Sequence, residues 1–229
     1  MNRYRHELKY LVSQAQIPLL RLRITPFMKI DPHVINSGFY SIRSLYFDDF
    51  RNSSYYENEN GTDPREKFRI RIYNHSAERI SLECKRKERG KTLKTSCLLT
   101  EEQTKRLMQG KTIEFAGQPA LIRKLCLQMK TRLLQPVTIV EYERIPYVCR
   151  NGNVRVTFDT NVSSSGEVKS FLDGEMPRRP VMPPGWQLME VKFDEYLPDY
   201  IYRALNLGNL QQTAYSKYYL CRKYAQKGV

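Results

Sequence analysis

Lysine, arginine and a few glutamates recur at every second position in several segments of the sequence. In KFRIRIY, Lys67, Arg69 and Arg71 alternate with apolar residues. Alternate residues of a β-strand share a face, so this segment would carry one cationic face and one apolar face. Arginine offers phosphate a bidentate fork and lysine offers a point charge. The pattern therefore indicates chemistry on phosphate groups.

Four further segments repeat this alternation of polar and apolar residues. Their polar faces carry Arg5, Glu7 and Lys9; Ser81, Glu83, Lys85 and Lys87; Arg155, Thr157 and Asp159; and Glu190 with Lys192. Glu7, Glu83 and Glu190 could hold a divalent cation, because Mg²⁺ takes one or two carboxylates together with water and substrate phosphate oxygens. Asp159 could equally ligate a metal or pin an arginine.

The elements that must position these side chains read as β-strands joined mostly by short turns. The strands are predicted over 3–11, 39–48, 67–73, 79–87, 91–98, 137–147, 154–159 and 186–194. Helices are predicted from Thr100 and over 119–134, 198–207 and 216–224, and a proline-rich surface loop over 163–185. The fold class is α+β, an eight-stranded antiparallel β-barrel tunnel with helices packed outside.

Two orientations of the charged strand faces are possible. They could face water, as in an ordinary amphipathic sheet. Alternatively, the helices could cover the apolar faces, and the charged faces would then line the barrel interior. The repetition of the same basic pattern on five strands favours the interior. Because the positive side chains in such a lumen would repel one another, the lumen would need a bound anion to offset their charge.

Composition agrees with a polyanionic ligand. The 229 residues carry a formal net charge of +14. The odd set of five cysteines has no C-x-x-C pair, and the three histidines lie far apart, so neither a disulfide framework nor a zinc site is expected. We find no apolar segment of membrane-spanning length and no signal peptide. One domain over residues 1–229 and a cytoplasmic location are expected.

Motifs distributed along nearly the whole sequence resemble the vacuolar transporter chaperone (VTC) domain, a branch of the triphosphate tunnel metalloenzyme superfamily. In chain order they are RHELKYLV, YSIRSLYFDD, KFRIRIY, LECKRK, the strand with Lys94, VEYERIPY, RVTFD, LMEVKFDEYLP and YSKYYLC. Their order and their coverage of nearly the whole sequence support the resemblance.

The resemblance implies an ATP-dependent polyphosphate polymerase that uses Mn²⁺ or Mg²⁺, with ATP and inorganic polyphosphate as its partners and no specific nucleic acid. It implies that Arg69 and Arg71 grip the triphosphate, and that the metal ligand is Glu190, with Glu83 and Glu7 as further candidates. Other phosphate ligands implied by the match are Lys85, Lys94, Arg155 and Lys217, and the additional contacts are Lys9, Lys87, Lys192 and Ser216.

The chain also departs from its relatives. The E-x-E-x-K start of the adenylate cyclase and thiamine triphosphatase branch is replaced by Glu7-Leu8-Lys9, which favours the polymerase branch. A lysine found two residues before the Ser-Lys pair in some members is Ala214. The regulatory and membrane-spanning parts of eukaryotic relatives are missing, so we expect a free-standing catalytic domain of bacterial type. A membrane-protein partner encoded elsewhere is compatible with this.

Two rival functions remain open at the level of sequence. A tunnel triphosphatase that hydrolyses tripolyphosphate or a nucleoside triphosphate would use nearly the same residues, with water as the acceptor. A non-catalytic module that binds polyanions or nucleic acid would also suit the charge. A P-loop kinase is excluded, since Gly90-Lys91-Thr92 and Gly110-Lys111-Thr112 both lack the earlier glycine.

Overall fold

The strands and helices come from a computed structural model, which describes residues 4–34 and 38–226. The strands are β1 (His6–Ser13), β2 (Lys29–Ile30), β3 (Tyr40–Asp48), β4 (Arg65–Tyr73), β5 (Ser76–Glu88), β6 (Lys91–Leu99), β7 (Gln135–Cys149), β8 (Val154–Ser165), β9 (Arg179–Pro180) and β10 (Trp186–Phe193). The helices are α1 (Gln16–Ile24), α2 (Ser53–Glu59), α3 (Glu101–Met108), α4 (Ala120–Thr131), α5 (Asp199–Ala204) and α6 (Lys217–Gln226). The predicted start of the first strand at Arg3 lies outside the described residues.

Eight of the strands form one antiparallel circuit in the order β1-β10-β8-β7-β3-β4-β5-β6. Its two edges meet at Arg5 and Thr92, whose backbone N–H groups each donate to the other residue's carbonyl oxygen at 2.9 Å. The sheet therefore curls into the predicted eight-stranded barrel. The two-residue strands β2 and β9 add to β7 and β8 outside this circuit.

The β4–β5 hairpin is tighter than the sequence predicts. A five-residue turn over NHSAE is expected, but β5 already begins at Ser76. Asn74 and His75 alone form the turn, with φ of 49° and 56°. Left-handed residues at both turn positions match the twist of the flanking strands, and Asn tolerates this conformation well. The register shifts between Tyr73 and Arg71, and the shifted register places Arg69 opposite Glu83.

Helices α3 and α4 cover the apolar face of β4 and β5. Phe68, Ile70 and Leu82 pack in one core cluster with Leu107 of α3 and Leu125 of α4. On the other side of the barrel, α1 and α5 cover the apolar faces of β1, β8 and β10 in a second cluster. External helices are thus confirmed for these elements, and the charged strand faces turn inward. No helix in the described ranges is long and apolar enough to cross a membrane.

Helix α6 departs from the expected arrangement because it packs on the lumenal side of the sheet. Ser44 accepts a hydrogen bond from the lumenal Arg71, and Ile42 shares the face of Ser44 by strand alternation. Tyr218 and Cys221 of α6 pack in a third cluster with Ile42. The helix therefore fills part of the lumen and brings its first residues to the cavity.

The structure also corrects the predicted connections. Strand β8 continues to Ser165, and β9 pairs with it even though Pro180 is one of its two residues, so the expected loop over 163–185 is shorter and partly ordered. Helices α1 and α2 are absent from the prediction. At the start of α2, Asp48 and Asp49 accept hydrogen bonds from the backbone N–H groups of Ser54 and Ser53.

Arg43 anchors the connection between β8 and β9 to the barrel. It is 2 % exposed, lies 2.5 Å from Glu141, and donates to the carbonyl oxygens of Phe171 and Asp173. We expect Arg43→Ala to lower the free energy of unfolding by about 3 kcal/mol or more, because buried acceptors lose their donor. Urea unfolding measures this change.

The matched control is Arg178→Ala, which removes an exposed partner of the same Glu141. An exposed ion pair contributes about 0–1 kcal/mol. Equal losses of stability in the two variants would contradict the anchoring role of Arg43.

A basic lumen as candidate phosphate site

A cavity of about 390 Å³ occupies the barrel lumen and is named the first cavity. Its charged lining among the described residues is Arg5, Glu7, Lys9, Lys67, Arg69, Arg71, Lys85, Lys94, Arg144, Arg155, Glu190, Lys192 and Lys217. This surplus of cations over carboxylates in a confined space favours the binding of an anion. The prediction of a cationic lumen is confirmed.

A second cavity of about 350 Å³ adjoins the first at the end of the barrel where β4 begins. Both cavities are lined by Lys9, Lys67, Lys85 and Ser216. The second cavity adds Arg65 and Lys87. Two predicted site residues do not line the first cavity: Lys87, which lies in the continuation of the same basic passage, and Glu83, which is buried behind the arginines that do.

Glu83 fixes the arginine pair of β4. Its Oε2 lies 2.6 Å from Arg69 Nη2 and 3.6 Å from Arg71 Nη1, and its Oε1 lies 3.0 Å from Lys94 Nζ. Burial would raise the pKa of Glu83, but these three cations hold it well below its usual range. Since Glu83 is 2 % exposed and both its oxygens are paired, this geometry favours a counter-ion over the predicted metal ligand.

Two hydroxyls complete the positioning of the arginines. Tyr46 accepts a hydrogen bond from Arg69 Nη1 at 2.9 Å, and Ser44 accepts one from Arg71 Nε at 3.1 Å. The pKa of Arg69 is raised well above its ordinary value, because Tyr46 and Glu83 outweigh the effect of burial. Both arginines are thus held charged beside the cavity.

Glu7 and Glu190 form a second group with the lysines of β1, β5 and β10. Lys85 Nζ lies 2.7 Å from Glu7 Oε1, and Lys192 Nζ lies 3.1 Å from Glu190 Oε2. Lys9 lies 3.2 Å from Glu7 and 3.9 Å from Glu190. Burial raises the pKa of Glu190, but Lys192, with the other lumenal lysines, holds it well below its usual range.

Arg144 is a lumenal residue that the sequence reasoning missed. Its Nε and Nη2 bind Asp159 at 2.6 and 2.7 Å, and Lys217 approaches the same carboxylate at 2.5 Å. The geometry gives Asp159 the second of its two predicted alternatives, the pinning of an arginine. The alternation of Val140, Tyr142 and Arg144 on β7 carried the signal, but only the sheet register reveals the partner.

Arg155 lines the first cavity but not the second. Its Nη2 lies 2.7 Å from Asp31 Oδ2 and donates to the Tyr40 hydroxyl at 2.9 Å. The side chain is 33 % exposed, so a ligand can reach it from outside. The predicted phosphate ligand Arg155 thus stands at the mouth of the first cavity.

Comparison with known proteins identifies the family. The family model of the VTC domain matches residues 4–225. The chain belongs to the VTC domain family. No curated protein sequence matches it significantly.

Solved structures share the fold of this VTC domain at low identity. A putative adenylate cyclase from Bacillus halodurans is 14 % identical, with a TM-score of 0.52 over 90 % of this chain and 88 % of the other. A putative adenylyl cyclase from Hippeastrum, described as having a dominant triphosphatase activity, is 13 % identical, with a TM-score of 0.54 over 98 % and 96 %. These likenesses concern the fold alone.

The lumen of the VTC domain offers a divalent cation the oxygen donors of Glu7 and Glu190, which in this structure are paired with lysines. The two carboxylates are neighbours, because Lys9 Nζ lies 3.2 Å from Glu7 and 3.9 Å from Glu190, and Lys192 Nζ lies 3.9 Å and 3.1 Å from them. The Thr157 hydroxyl, opposite Glu190 in the sheet, is buried and has no hydrogen-bond partner. The described residues contain no group of three acidic, cysteine or histidine ligands, so a metal here would need oxygens from phosphate and water.

Replacing Glu83 tests its role as the counter-ion. We expect Glu83→Gln to lower the free energy of unfolding at neutral pH by about 3–5 kcal/mol, because three cations lose their partner. The pKa of Glu83 is lower in the folded protein than in the unfolded chain. The ionised carboxylate therefore stabilises the fold at pH values above the unfolded-state pKa, and this contribution is lost as the pH falls towards the folded-state pKa. The difference between variant and wild type should therefore shrink below about pH 4.

Urea unfolding from neutral to acidic pH measures this difference. Glu102→Gln, at an exposed position of α3, is the matched control and should change little. A difference for Glu83→Gln that stays constant across the pH range would contradict the counter-ion role.

Proposed function

We propose that this VTC domain is a metal-dependent polyphosphate polymerase that transfers the γ-phosphoryl group of ATP to the end of an inorganic polyphosphate chain. Family membership and the tunnel fold support enzymatic work on phosphate groups. The donor would be ATP, the acceptor a phosphate chain, and the products ADP and a chain one phosphate longer.

The observation that carries the choice of a polymerase is the pair of adjoining basic cavities. A triphosphatase needs a site for its substrate and access for water. A polymerase also needs room and countercharge for an acceptor chain beyond the donor site. The second cavity supplies Arg65 and Lys87 and shares Lys67 and Lys85 with the first cavity. Continuous countercharge of this kind suits a chain rather than a single triphosphate.

The residues of the first cavity have distinct roles in this proposal. Arg69 and Arg71 bind the transferring phosphoryl group, because their forks are held in place by Glu83. Arg144 and Lys217 are positioned by Asp159, and Arg155 meets the nucleotide at the mouth. These fixed charges stabilise the charge that builds up in the transition state.

A divalent cation, Mn²⁺ or Mg²⁺, would be held by Glu190 and Glu7 and would neutralise charge on the phosphate oxygens. Lys9 and Lys192 pair with these carboxylates in the structure, so they are placed to contact the same phosphates.

The transfer step needs no strong base. A terminal oxygen of the acceptor phosphate, already anionic, forms a bond to the γ-phosphorus. The bond from the γ-phosphorus to the β–γ bridging oxygen breaks, and ADP leaves with that electron pair. Positioning and electrostatic stabilisation therefore account for catalysis.

Product analysis tests the proposed reaction. With ATP and Mn²⁺, with and without a short polyphosphate primer, we expect a ladder of long chains on a length-resolving gel. Arg69→Ala should lower kcat about 10²–10³-fold, as for the loss of one electrostatic donor. Arg123→Ala, at an exposed position of α4, is the control.

If the products contain orthophosphate and no chains, the polymerase proposal is wrong and the triphosphatase function is supported. Binding of nucleic acid as tight as that of tripolyphosphate, without turnover, would favour the non-catalytic module.

Glu190→Gln tests the proposed metal ligand. We expect a higher Mn²⁺ concentration at half-maximal activity and weaker Mn²⁺ binding measured by electron paramagnetic resonance, since one charged oxygen ligand is lost. Glu102→Gln is the control. An unchanged metal titration would remove Glu190 from the metal site.

A further inference from the structure

Lys67 occupies the junction of the two cavities. It lies on the lumenal face of β4, opposite Lys85 in the strand register, and it lines both cavities. A phosphate chain that passed from one cavity to the other would pass this ammonium group.

Lys67 differs from the other cations of the first cavity in the groups that its ammonium contacts. The other cations of the first cavity share Glu7, Glu83, Asp159, Glu190, Asp31 or Asp194 as counter-ions. Within the part of the chain that the structure describes, Lys67 has no carboxylate partner. Its Nζ contacts only the Asn58 amide oxygen at 3.4 Å and the face of the Tyr218 ring at 4.9 Å. These neutral groups hold the ammonium in place without neutralising it.

The charges around Lys67 disfavour its protonated form. The groups that face it are Arg65 on its own strand, Lys85 of β5, Lys9 of β1, Asp48 of β3 and Glu57 of α2. Burial, followed by Arg65, Lys9 and Lys85, lowers the pKa of Lys67 to about 7. A bound anion reverses this balance, since it favours the charged form.

We propose that Lys67 binds a phosphate group of the acceptor chain at the junction, and that it takes up a proton when it does so. The inference rests on the proposed function, because the ligand is the phosphate chain of that reaction. Polyphosphate binding should therefore tighten as the pH falls from about 9 to 7, the range above the pKa of the free lysine, where binding must add a proton to it.

Calorimetric titration with long-chain polyphosphate, without nucleotide, tests the inference. Titrations at about pH 8 in buffers of different ionisation enthalpy give the protons taken up. Lys67→Met should weaken binding about tenfold or more, the effect of one charge-assisted hydrogen bond, and reduce proton uptake relative to wild type. Comparing the two proteins cancels proton exchange by the ligand itself.

Two further variants separate binding from structure. Lys67→Arg keeps the charge but does not titrate in this range, so it should retain affinity and lose the extra proton uptake. Lys105→Met removes a lysine from the exposed face of α3 and should match wild type.

The possible outcomes distinguish the inference from the function. If wild type binds polyphosphate and Lys67→Met binds it equally well with the same proton uptake, the inference is wrong and the function stands. If Lys67→Arg still takes up the extra proton, the titrating group is not Lys67. If wild type binds no polyphosphate, the proposed function fails, and the inference with it.

Discussion

Repulsion among the cations that crowd one narrow lumen is the constraint on which the rest of this structure depends. The barrel walls replace part of the surrounding water with protein, so charges inside interact more strongly than they would on the surface. Carboxylates offset part of this repulsion, and each is shared among several cations: Glu83 by Arg69, Arg71 and Lys94, for example. The remaining positive charge favours the polyanionic ligand that we propose.

The same carboxylates also determine where the cations point. Asp159 receives Arg144 through two parallel hydrogen bonds, a geometry that fixes the plane of the guanidinium group. The antiparallel register places these partners on neighbouring strands, and the apolar faces are held from outside by α3, α4, α1 and α5. Packing of the outer layer and preorganisation of the lumen are therefore two consequences of one alternating pattern.

Sequence alone predicts the parts of the structure that follow from this local alternation. The period of two in KFRIRIY and LECKRK places Arg69, Arg71 and Lys85 on the same face, and the structure confirms that this face is lumenal. The match to the VTC domain adds residues such as Lys217 that lie on a helix, where a strand pattern gives no information.

Contacts between side chains that are distant in the sequence cannot be predicted from local sequence patterns. Arg144 meets Asp159 only through the pairing of β7 with β8. Among the described residues, the distant helices α2 and α6 bring Asn58 and the Tyr218 ring to Lys67, and no carboxylate pairs with it. Helix α1 carries apolar Leu19 and Leu22 on its exposed side, so its amphipathic pattern is weak. Ser13 and Gln16 accept each other's backbone N–H groups at its start, a local capping signal that the sequence analysis missed. Packing on the barrel supplies the rest of its stability.

The measurement that tests the central claim most directly is the thermal unfolding of the wild-type protein with tripolyphosphate, compared with sulfate at equal ionic strength. A ligand at 100 times its dissociation constant stabilises the folded state by about 2.7 kcal/mol. The account predicts that tripolyphosphate raises the melting temperature in a saturable way and that sulfate has a much smaller effect. Equal effects of the two anions would mean that the lumen responds only to ionic strength, and would contradict a built phosphate-chain site.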